Sequence, residues 1–353
     1  MMMNPADRRQ AIIWSFFGIL LLFSSRALGA QLVETERIAE FHKRNYTWPI
    51  QEYVPNHPGW RALLEKRFAQ VAEIKHRGQR YDGYMQMMHS SLLVPNFTEY
   101  GFGLARCPDA LLADLQQTIR NGLPTARLER HIEVIDAPKQ PLFIDSPALI
   151  KRVLHEMLPY AEEWSGIELT PATAYGFRLY QNHSQLTMHV DKMQTHIISF
   201  ILHIDSSDDA DPWPIYIEDF HGRTHEVTLT PGDMLFYESS KCFHGRPRRL
   251  NGSWYSSLFV HYYPKDGWQE KNHEMETHYA VPPEWTLDPP GINQYPVLTM
   301  AGTSVKEPSC PNEWCATENA VQWSGPGEEG YWIAPNFEKI PFEPEEVIWS
   351  SEL

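Results

Sequence analysis

Positive charge is scarce in this sequence. Its 353 residues include 30 lysines and arginines against 45 aspartates and glutamates, which leaves a net charge of −15. Because a nucleic-acid-binding surface needs clustered lysine and arginine to neutralise phosphates, this composition argues against a nucleic-acid partner. The sequence also lacks the glycine pattern that cradles phosphates and the turn that presents a catalytic serine in hydrolases. Neither class of function is predicted for the chain.

Cysteine is scarce as well, with four residues in the whole chain. They do not form the two close pairs of a structural zinc site. Cys310 and Cys315 lie close enough in a polar loop to close a small disulfide. Cys107 and Cys242 either pair or stay free, and the sequence leaves both possibilities open.

Long apolar runs are also few. The notable one, Ala11–Phe23, follows a pair of arginines and precedes small residues at 27–30. This is the three-part pattern of a secretory signal peptide over residues 1–30, with cleavage after Ala30. The run is short for a membrane span, which needs about 20 apolar residues. Arg26 keeps open an uncleaved signal anchor of a type II membrane protein, and either outcome places the rest of the chain in the lumen.

Acceptor sites for N-glycosylation agree with a secretory route. Four Asn-x-Ser/Thr sequons occur, at Asn45, Asn96, Asn182 and Asn251. Together with the N-terminal pattern they predict a glycoprotein of the endoplasmic reticulum or a secreted one. The oligomeric state is not predicted.

The rest of the chain divides into three regions. Residues 31–171 are predicted to be a helical region that packs on the core, with helices near 60–74, 108–123 and 146–164. Residues 172–264 contain eight short runs of β-branched and aromatic residues, which predict a mainly β jelly roll or barrel with flanking helices. Residues 265–353, rich in proline, glycine, tryptophan and acidic residues, are predicted to be an irregular C-terminal extension.

One constellation in the predicted β region suggests a metal site. His189 and Asp191 are two residues apart on a predicted strand, so their side chains point to the same face. His244 follows 244 − 191 = 53 residues later, at the start of another predicted strand. Two histidines and one carboxylate on one face of an octahedral metal are the ligands of non-haem Fe(II) oxygenases. The other histidines, including His261, show no such pattern, and Trp213 is interpreted as a turn residue.

With these residues in place, the segment from 175 to 264 resembles the catalytic domain of the prolyl 4-hydroxylase-type Fe(II)/2-oxoglutarate-dependent dioxygenases. The resemblance covers about a quarter of the chain, and six pieces carry it in the family's order and spacing: Phe177–Tyr180, Met188–Asp191, Ser199–Asp205, Pro231–Tyr237, His244–Pro247 and Gly252–Tyr255. It implies a double-stranded β-helix core, Fe(II) held by the catalytic residues His189, Asp191 and His244, 2-oxoglutarate as cosubstrate, and ascorbate. It also implies that Tyr180 and His203 lie near the cosubstrate.

The sequence departs from the family at one position. Relatives carry a lysine or arginine on the eighth strand to pair with the far carboxylate of 2-oxoglutarate, but residues 253–255 are not basic here. A buried anion needs a partner, so another cation is expected to replace it. Arg246 is the first choice because it lies two residues after His244 and on the same face of a continuing strand. Arg178 is the second choice and Lys241 the third.

The predicted function is hydroxylation of a protein or peptide substrate in the secretory pathway, with prolyl side chains favoured by analogy alone. The main alternative is a catalytically silent double-stranded β-helix that binds a metal or ligand, and the missing eighth-strand cation favours it. A luminal subunit that scaffolds a partner through its helices is the third possibility. The intact ligand triad favours the enzyme.

Overall fold

The N-terminal part of the molecule combines helices with short strands. The computed structural model describes residues 57–88, 94–130, 134–269, 298–324, 331–333 and 339–341. The predicted signal peptide and Asn45 lie outside these residues. The elements before the core are α1 (Pro58–Ala72), α2 (Arg77–Met88), β1 (Phe102–Arg106), α3 (Asp109–Gly122), β2 (Arg127–Leu128), β3 (Ile135–Asp136), β4 (Leu142–Ile144), α4 (Pro147–Glu156) and α5 (Leu158–Ser165).

The predicted helices are present, with one difference. The helix predicted over 146–164 is two helices, α4 and α5, which meet at Met157. Pro159 lies in the first turn of α5, where its missing N–H does no harm, whereas inside one long helix it would remove a hydrogen bond. The region also contains the strands β1 to β4, which the sequence analysis did not predict.

The eight predicted core strands all form. They are β5 (Leu169–Gln181), β6 (Gln185–His189), β7 (Ile198–Ser206), β8 (Ile215–Glu218), β9 (Thr224–Thr228), β10 (Asp233–Tyr237), β11 (His244–Arg246) and β12 (Trp254–Pro264). Strands such as β7 and β10 are buried at nearly every residue, because α3 packs on the outside of β7 while the barrel interior lies on the other side. Their continuous apolar character reflects burial on both faces.

The strand order identifies the fold. One sheet contains the order β10-β7-β12-β5, and the other contains β6-β11-β8-β9, with antiparallel pairing throughout these eight strands. Successive strands therefore alternate between the two sheets, except for the β8–β9 hairpin. This is a double-stranded β-helix, and the predicted fold class, mainly β with flanking helices, is confirmed.

Segments from both ends of the chain extend the two sheets. β1 pairs with β10, and after the core come β13 (Thr299–Ala301), β14 (Ser304–Lys306), β15 (Val321–Ser324), β16 (Tyr331–Ile333) and β17 (Lys339–Pro341). β14 pairs with β6 and β15 with β9, so the described part of the C-terminal region contributes strands to the core sheets. The division of the chain at residues 171 and 264 remains a prediction.

A buried ion cluster joins the same three regions. Arg67 of α1 donates to Glu218 at 2.6 Å on β8 and to Glu307 at 2.8 Å just after β14, and its guanidinium lies 4.1 Å from the ring centre of Trp314. The disulfide between Cys310 and Cys315 closes the loop that follows. Cys107 and Cys242 are buried, and neither forms a disulfide within the described residues. Among the described residues, no helix combines the length and the apolar character that a bilayer crossing requires.

Candidate metal centre and cosubstrate pocket

The pairing of β6 with β11 brings the two predicted histidine ligands together. His189 is the direct cross-strand partner of His244, and their ring centres are 4.3 Å apart. Asp191 follows the end of β6, where its backbone N–H donates to the carbonyl of Ser239 at 2.8 Å. One ligand atom from each of His189, Asp191 and His244 lies within 4.8 Å of the others. The structure therefore gathers the predicted triad at one point.

Hydrogen bonds orient both imidazoles toward that point. Nδ1 of His189 lies 2.7 Å from the carbonyl oxygen of Thr187, and Nδ1 of His244 lies 2.9 Å from that of Cys242. A carbonyl can only accept, so each Nδ1 carries the proton and each Nε2 keeps a free lone pair. The two Nε2 atoms lie 3.5 Å and 3.9 Å from Oδ1 of Asp191. Such backbone contacts are how proteins fix metal-binding histidines.

The ionisation states of the triad suit a divalent cation. Burial, and then the neighbouring His189, lower the pKa of His244 to about 4, so its ring is neutral at pH 7. Burial alone would raise the pKa of the Asp191 carboxyl, but the surrounding histidine side chains lower it overall. Two neutral imidazole nitrogens and one carboxylate are the donor set of non-haem iron. The residues fit Fe(II), and their assignment as ligands remains a prediction.

Arg246 is a buried cation without a buried anion. Its side chain is about 1% exposed, Nη1 donates to the carbonyl of Trp213, and Nη2 lies 3.4 Å from the hydroxyl of Tyr255. Its guanidinium lies 4.7 Å from the ring centres of both aromatic residues. No carboxylate of the described chain pairs with it. Burying a charge without a counter-ion is costly, so this pocket fits a carboxylate ligand.

The two other predicted cosubstrate residues are at the same pocket. Tyr180 is buried on β5 and packs edge-on against Trp213, with ring centres 5.0 Å apart. His203 is buried on β7, donates from Nδ1 to the carbonyl of Ser256 at 3.0 Å, and stacks on Tyr255. Burial lowers the pKa of His203 to about 3, so its ring is neutral at pH 7 and does not add a second cation to the pocket. Contact of these residues with a cosubstrate remains a prediction.

The second and third choices for the anchor are engaged elsewhere. Arg178 binds Glu129 through two hydrogen bonds, Nε–Oε2 at 2.6 Å and Nη2–Oε1 at 2.7 Å. The ammonium of Lys241 donates to the side-chain oxygen of Asn96, and its environment includes the buried carboxyl of Glu238. A cation that is already paired with a protein group is a poor anchor for a carboxylate ligand. Of the three candidate anchors, the contacts therefore favour Arg246.

Several residues of the site were missed or misjudged in the sequence. Trp213 lies in the loop before β8, as interpreted, but its packing against Arg246 was not foreseen. In the sequence, residues 253–255 were notable only because none of them is basic. In the structure, Tyr255 contacts Arg246. His261 lies with Nδ1 3.8 Å from Oδ2 of Asp191. The one sequence signal for these contacts was an aromatic residue among positions 253–255, where the resembled family carries a cation.

A surface groove is connected to Asp191 and Tyr180 through side-chain contacts. Its volume is about 800 Å³, and its lining comes from the end of α3, from β2, from β4 and from Tyr175 on β5. Tyr175 packs edge-on against His261, with ring centres 5.7 Å apart, and His261 in turn contacts Asp191. Glu129, another lining residue, holds Arg178, which reaches the hydroxyl of Tyr180 at 3.5 Å. Two chains of contact thus connect the groove with the centre.

No protein-family model and no curated protein sequence matches the chain. Similar solved structures include a prolyl-4-hydroxylase of Pseudomonas putida, 16% identical over 47% of this chain and 94% of that one, with a TM-score of 0.37. They also include a Trichoplax adhaerens prolyl hydroxylase in complex with a hypoxia inducible factor peptide fragment, 9% identical over 56% and 97%, with a TM-score of 0.37.

A third similar structure is HygX of Streptomyces hygroscopicus with nickel, 2-oxoglutarate and hygromycin B bound, 13% identical over 54% of this chain and 88% of that one, with a TM-score of 0.36. At these identities and TM-scores the likeness carries no argument about activity. The fold follows from the strand order of the chain itself.

Proposed function

We propose that this chain is an Fe(II)- and 2-oxoglutarate-dependent dioxygenase that hydroxylates a protein or peptide. The observation that carries the proposal is that one barrel contains both a candidate metal site and a candidate carboxylate site. A triad of two imidazoles and a carboxylate converges on one point, and Arg246, two residues after His244, is a buried guanidinium without a carboxylate partner among the described residues. The first suits a metal with open positions, and the second suits the far end of a dicarboxylate.

Each residue has a defined task in this proposal. When bound, iron and 2-oxoglutarate supply dioxygen activation coupled to decarboxylation of the cosubstrate and hydroxylation of a C–H bond. His189, Asp191 and His244 bind the metal and leave three positions for other ligands. Arg246 binds the far carboxylate through its planar donors. Trp213, Tyr255 and His203 exclude water around it, which strengthens that ion pair.

The groove supports a peptide as the substrate. Three large hydrophobic side chains are exposed among the described residues, and two of them, Leu128 and Tyr175, line the groove. Arg127 and Arg130 also line it and make no ion pair within the described residues, while Glu129 is occupied by Arg178. Strand β2 is the last strand of its sheet in the described chain, so its edge is available to an extended segment. An extended peptide with apolar and acidic residues fits this surface.

The decisive experiment is succinate formation from 2-oxoglutarate by the purified protein with Fe(II) and ascorbate, first without a peptide. We expect slow turnover in the wild type and none after His189→Ala, Asp191→Ala or His244→Ala. Each variant should keep the thermal stability of the metal-free wild type to within a few degrees, since the apolar core is untouched. Full turnover by any of the three variants would refute the triad.

Peptide selection is tested with two fluorescein-labelled probes that alternate leucine and proline with either glutamate or lysine. We expect the glutamate probe to bind more tightly and to stimulate succinate formation. Arg127→Glu should weaken it and strengthen the lysine probe, whereas Arg120→Glu, on the same helix–strand segment but outside the lining, should change neither. Equal binding of both probes to the wild type would refute an acidic substrate.

The alternative, a silent binding module, is favoured by the absence of a basic residue at 253–255 on β12. It predicts binding of 2-oxoglutarate or another carboxylate at Arg246 without succinate formation under any condition. Isothermal titration and the succinate assay on the same preparation separate the two functions.

The secretory route is part of the proposal. Its support is the N-terminal pattern and the sequons, of which Asn96, Asn182 and Asn251 are exposed on the described surface. The amide nitrogen of Asn251 donates to Asp211 at 2.6 Å, so a glycan there has to displace that bond. Mass spectrometry of protein secreted from a eukaryotic host should show loss of residues 1–30 and glycans at Asn182. An intact, unglycosylated N-terminus would contradict this route.

A further inference from the structure

The two carboxylate oxygens of Asp191 have different surroundings. Oδ1 faces Nε2 of both His189 and His244, at 3.5 Å and 3.9 Å. Oδ2 is buried and has no hydrogen-bond partner among the described residues. Nδ1 of His261, on β12, lies 3.8 Å from Oδ2. This distance is too long for a hydrogen bond, but in a buried site the dipole of the imidazole ring still acts on the carboxylate. The electrostatic potential at Oδ2 therefore depends on which ring nitrogen of His261 carries the proton.

A chain of hydrogen bonds decides the position of that proton. The hydroxyl of Ser239 donates to the carbonyl of His196 at 2.9 Å, and a carbonyl cannot donate in return. Ser239 has thus used its one proton, so in its 2.6 Å contact with Ser199 the donor is Ser199. Ser199 has then used its own proton, and in its 2.7 Å contact with Nδ1 of His261 it accepts. Nδ1 of His261 therefore carries the proton.

Packing holds this ring in place. His261 is about 3% exposed and stacks on His196, with ring centres 3.8 Å apart, while Tyr175 packs edge-on against it. Ser239 also accepts the backbone N–H of Asp191, so the same serine anchors both the relay and the ligand.

We propose that His261 is a positioning residue for Asp191. The relay Ser239–Ser199–His261 keeps the proton on Nδ1, whose N–H donates to Ser199 and whose positive end lies 3.8 Å from Oδ2, and this favours the orientation in which Oδ1 faces the two histidines. The inference rests on the metal-binding role proposed for Asp191, and it extends the site to a residue on the opposite sheet. His261 does not contact the metal position, so its effect must be transmitted through Asp191.

A matched pair of substitutions isolates the N–H group. In His261→Asn the amide Nδ2 occupies the place of Nδ1 and can still donate, whereas His261→Leu has nearly the same shape as asparagine and cannot. Partners of metal ligands typically change metal affinity by about ten- to a hundred-fold when removed. We expect His261→Leu to weaken Co(II) binding by about that factor, as measured by calorimetry, and His261→Asn to restore most of the loss. The d–d spectrum of bound Co(II) should shift in the leucine variant alone.

The control is Ser240→Ala, which removes a buried hydroxyl that has no hydrogen-bond partner within the described part of the chain and neighbours Ser239 in sequence. It should bind Co(II) as the wild type does. Equal Co(II) affinity in wild type, His261→Leu and His261→Asn would overturn the positioning role while leaving the metal site intact. If the wild type itself fails to bind Co(II), the proposed function fails instead. Nitrogen-15 NMR of the metal-free protein then tests the relay separately, because a proton on Nε2 of His261 would overturn it.

Discussion

The imidazole of His203 lies flat against the phenol ring of Tyr255, with ring centres 4.0 Å apart and planes 6° from parallel. Tyr255 is on β12, within residues 253–255 where the resembled family carries its cation, and it also contacts Trp213 and the guanidinium of Arg246. Arg246 is on β11, in the other sheet. Arg246 and Tyr255 therefore come from opposite sheets, and aromatic side chains from β12 and from the loop before β8 contact the guanidinium.

Arg246→Ala should weaken 2-oxoglutarate binding while Fe(II) affinity stays nearly unchanged. Removing one member of a buried ion pair costs about 3–5 kcal/mol, which corresponds to two to three orders of magnitude or more in Kd. The measurement is the charge-transfer absorbance during titration of 2-oxoglutarate into Fe(II)-loaded protein under anaerobic conditions. Arg248→Ala is the control, because Arg248 pairs with Glu226 at 3.0 Å on a partly exposed surface. Equal losses in the two variants would contradict the anchor.

His203 should make the protein less stable in acid. Its pKa is about 3 in the folded state, against an ordinary value near 6.5, so between these pH values only the unfolded chain binds the proton. The free energy of unfolding therefore falls as the pH falls from 6.5 toward 3, by about 2–3 kcal/mol at pH 4.5 from this residue. His203→Phe keeps a ring against Tyr255 and removes the titration.

The test compares urea unfolding at pH 7.5 and at pH 4.5 in the wild type and in His203→Phe. Other buried histidines, such as His244, titrate in both proteins and cancel in the difference. We expect the variant to lose less stability than the wild type on acidification. An identical loss in both proteins would show that His203 is not held neutral by the fold.

Gly245 should be irreplaceable for the metal site. It lies between His244 and Arg246, where an added Cβ would come 2.8 Å from the carbonyl oxygens of Leu186 and Thr187 on β6. Gly245→Ala must push β6 and β11 apart, at a cost of about 1–3 kcal/mol, and so separate the paired histidines. Calorimetry with Co(II) should show at least a tenfold loss of affinity. Gly166→Ala, strained by its φ of 70° but open on all sides, should lose stability without losing metal.

Arg67 should be the costliest charged residue to remove, and its two partners should differ. The Glu307 carboxyl has its pKa lowered, because Arg67 and Gln70 outweigh the effect of burial, whereas burial raises the pKa of Glu218 despite Arg67. Arg67→Met removes the buried cation from Glu307 and leaves it only the half-exposed Lys66 at 3.7 Å, so it should cost about 3–5 kcal/mol in urea unfolding. Glu218→Gln keeps a hydrogen-bonding group and should cost less. A reversed order would show that Glu218 carries the charge.

The core strands and the triad were accessible to sequence reasoning because both depend on short-range periodicity. An apolar pattern of period two or a continuous β-branched run marks a strand, and two residues two apart on a strand share a face. His189, Asp191 and His244 therefore met as expected. The strands β1 to β4 were missed because they are two to five residues long and their pairing partners, such as β10, are remote in sequence.

The surroundings of the site were beyond sequence reasoning for a related reason. Arg246 is buried and its role as the anchor stays a prediction, but the aromatic rings that contact it, Trp213 and Tyr255, come from a loop and from the opposite sheet. Likewise Ser199, Ser239 and His261 belong to different elements, and nothing in their spacing suggests a relay. Such contacts depend on tertiary packing, which local patterns do not encode.

The ion cluster around Arg67 has a consequence for how the chain is made. Glu218 and Glu307 lie 151 and 240 positions along the chain from Arg67. On the ribosome, the barrel strands emerge before Glu307 does, so α1 and β8 cannot complete their shared ion cluster until most of the polypeptide has been synthesised. Contacts of such large sequence separation form late and slowly. Nascent chains shorter than 307 residues should therefore expose α1 and depend on chaperones, and protection of that helix from proteolysis should appear only with longer chains.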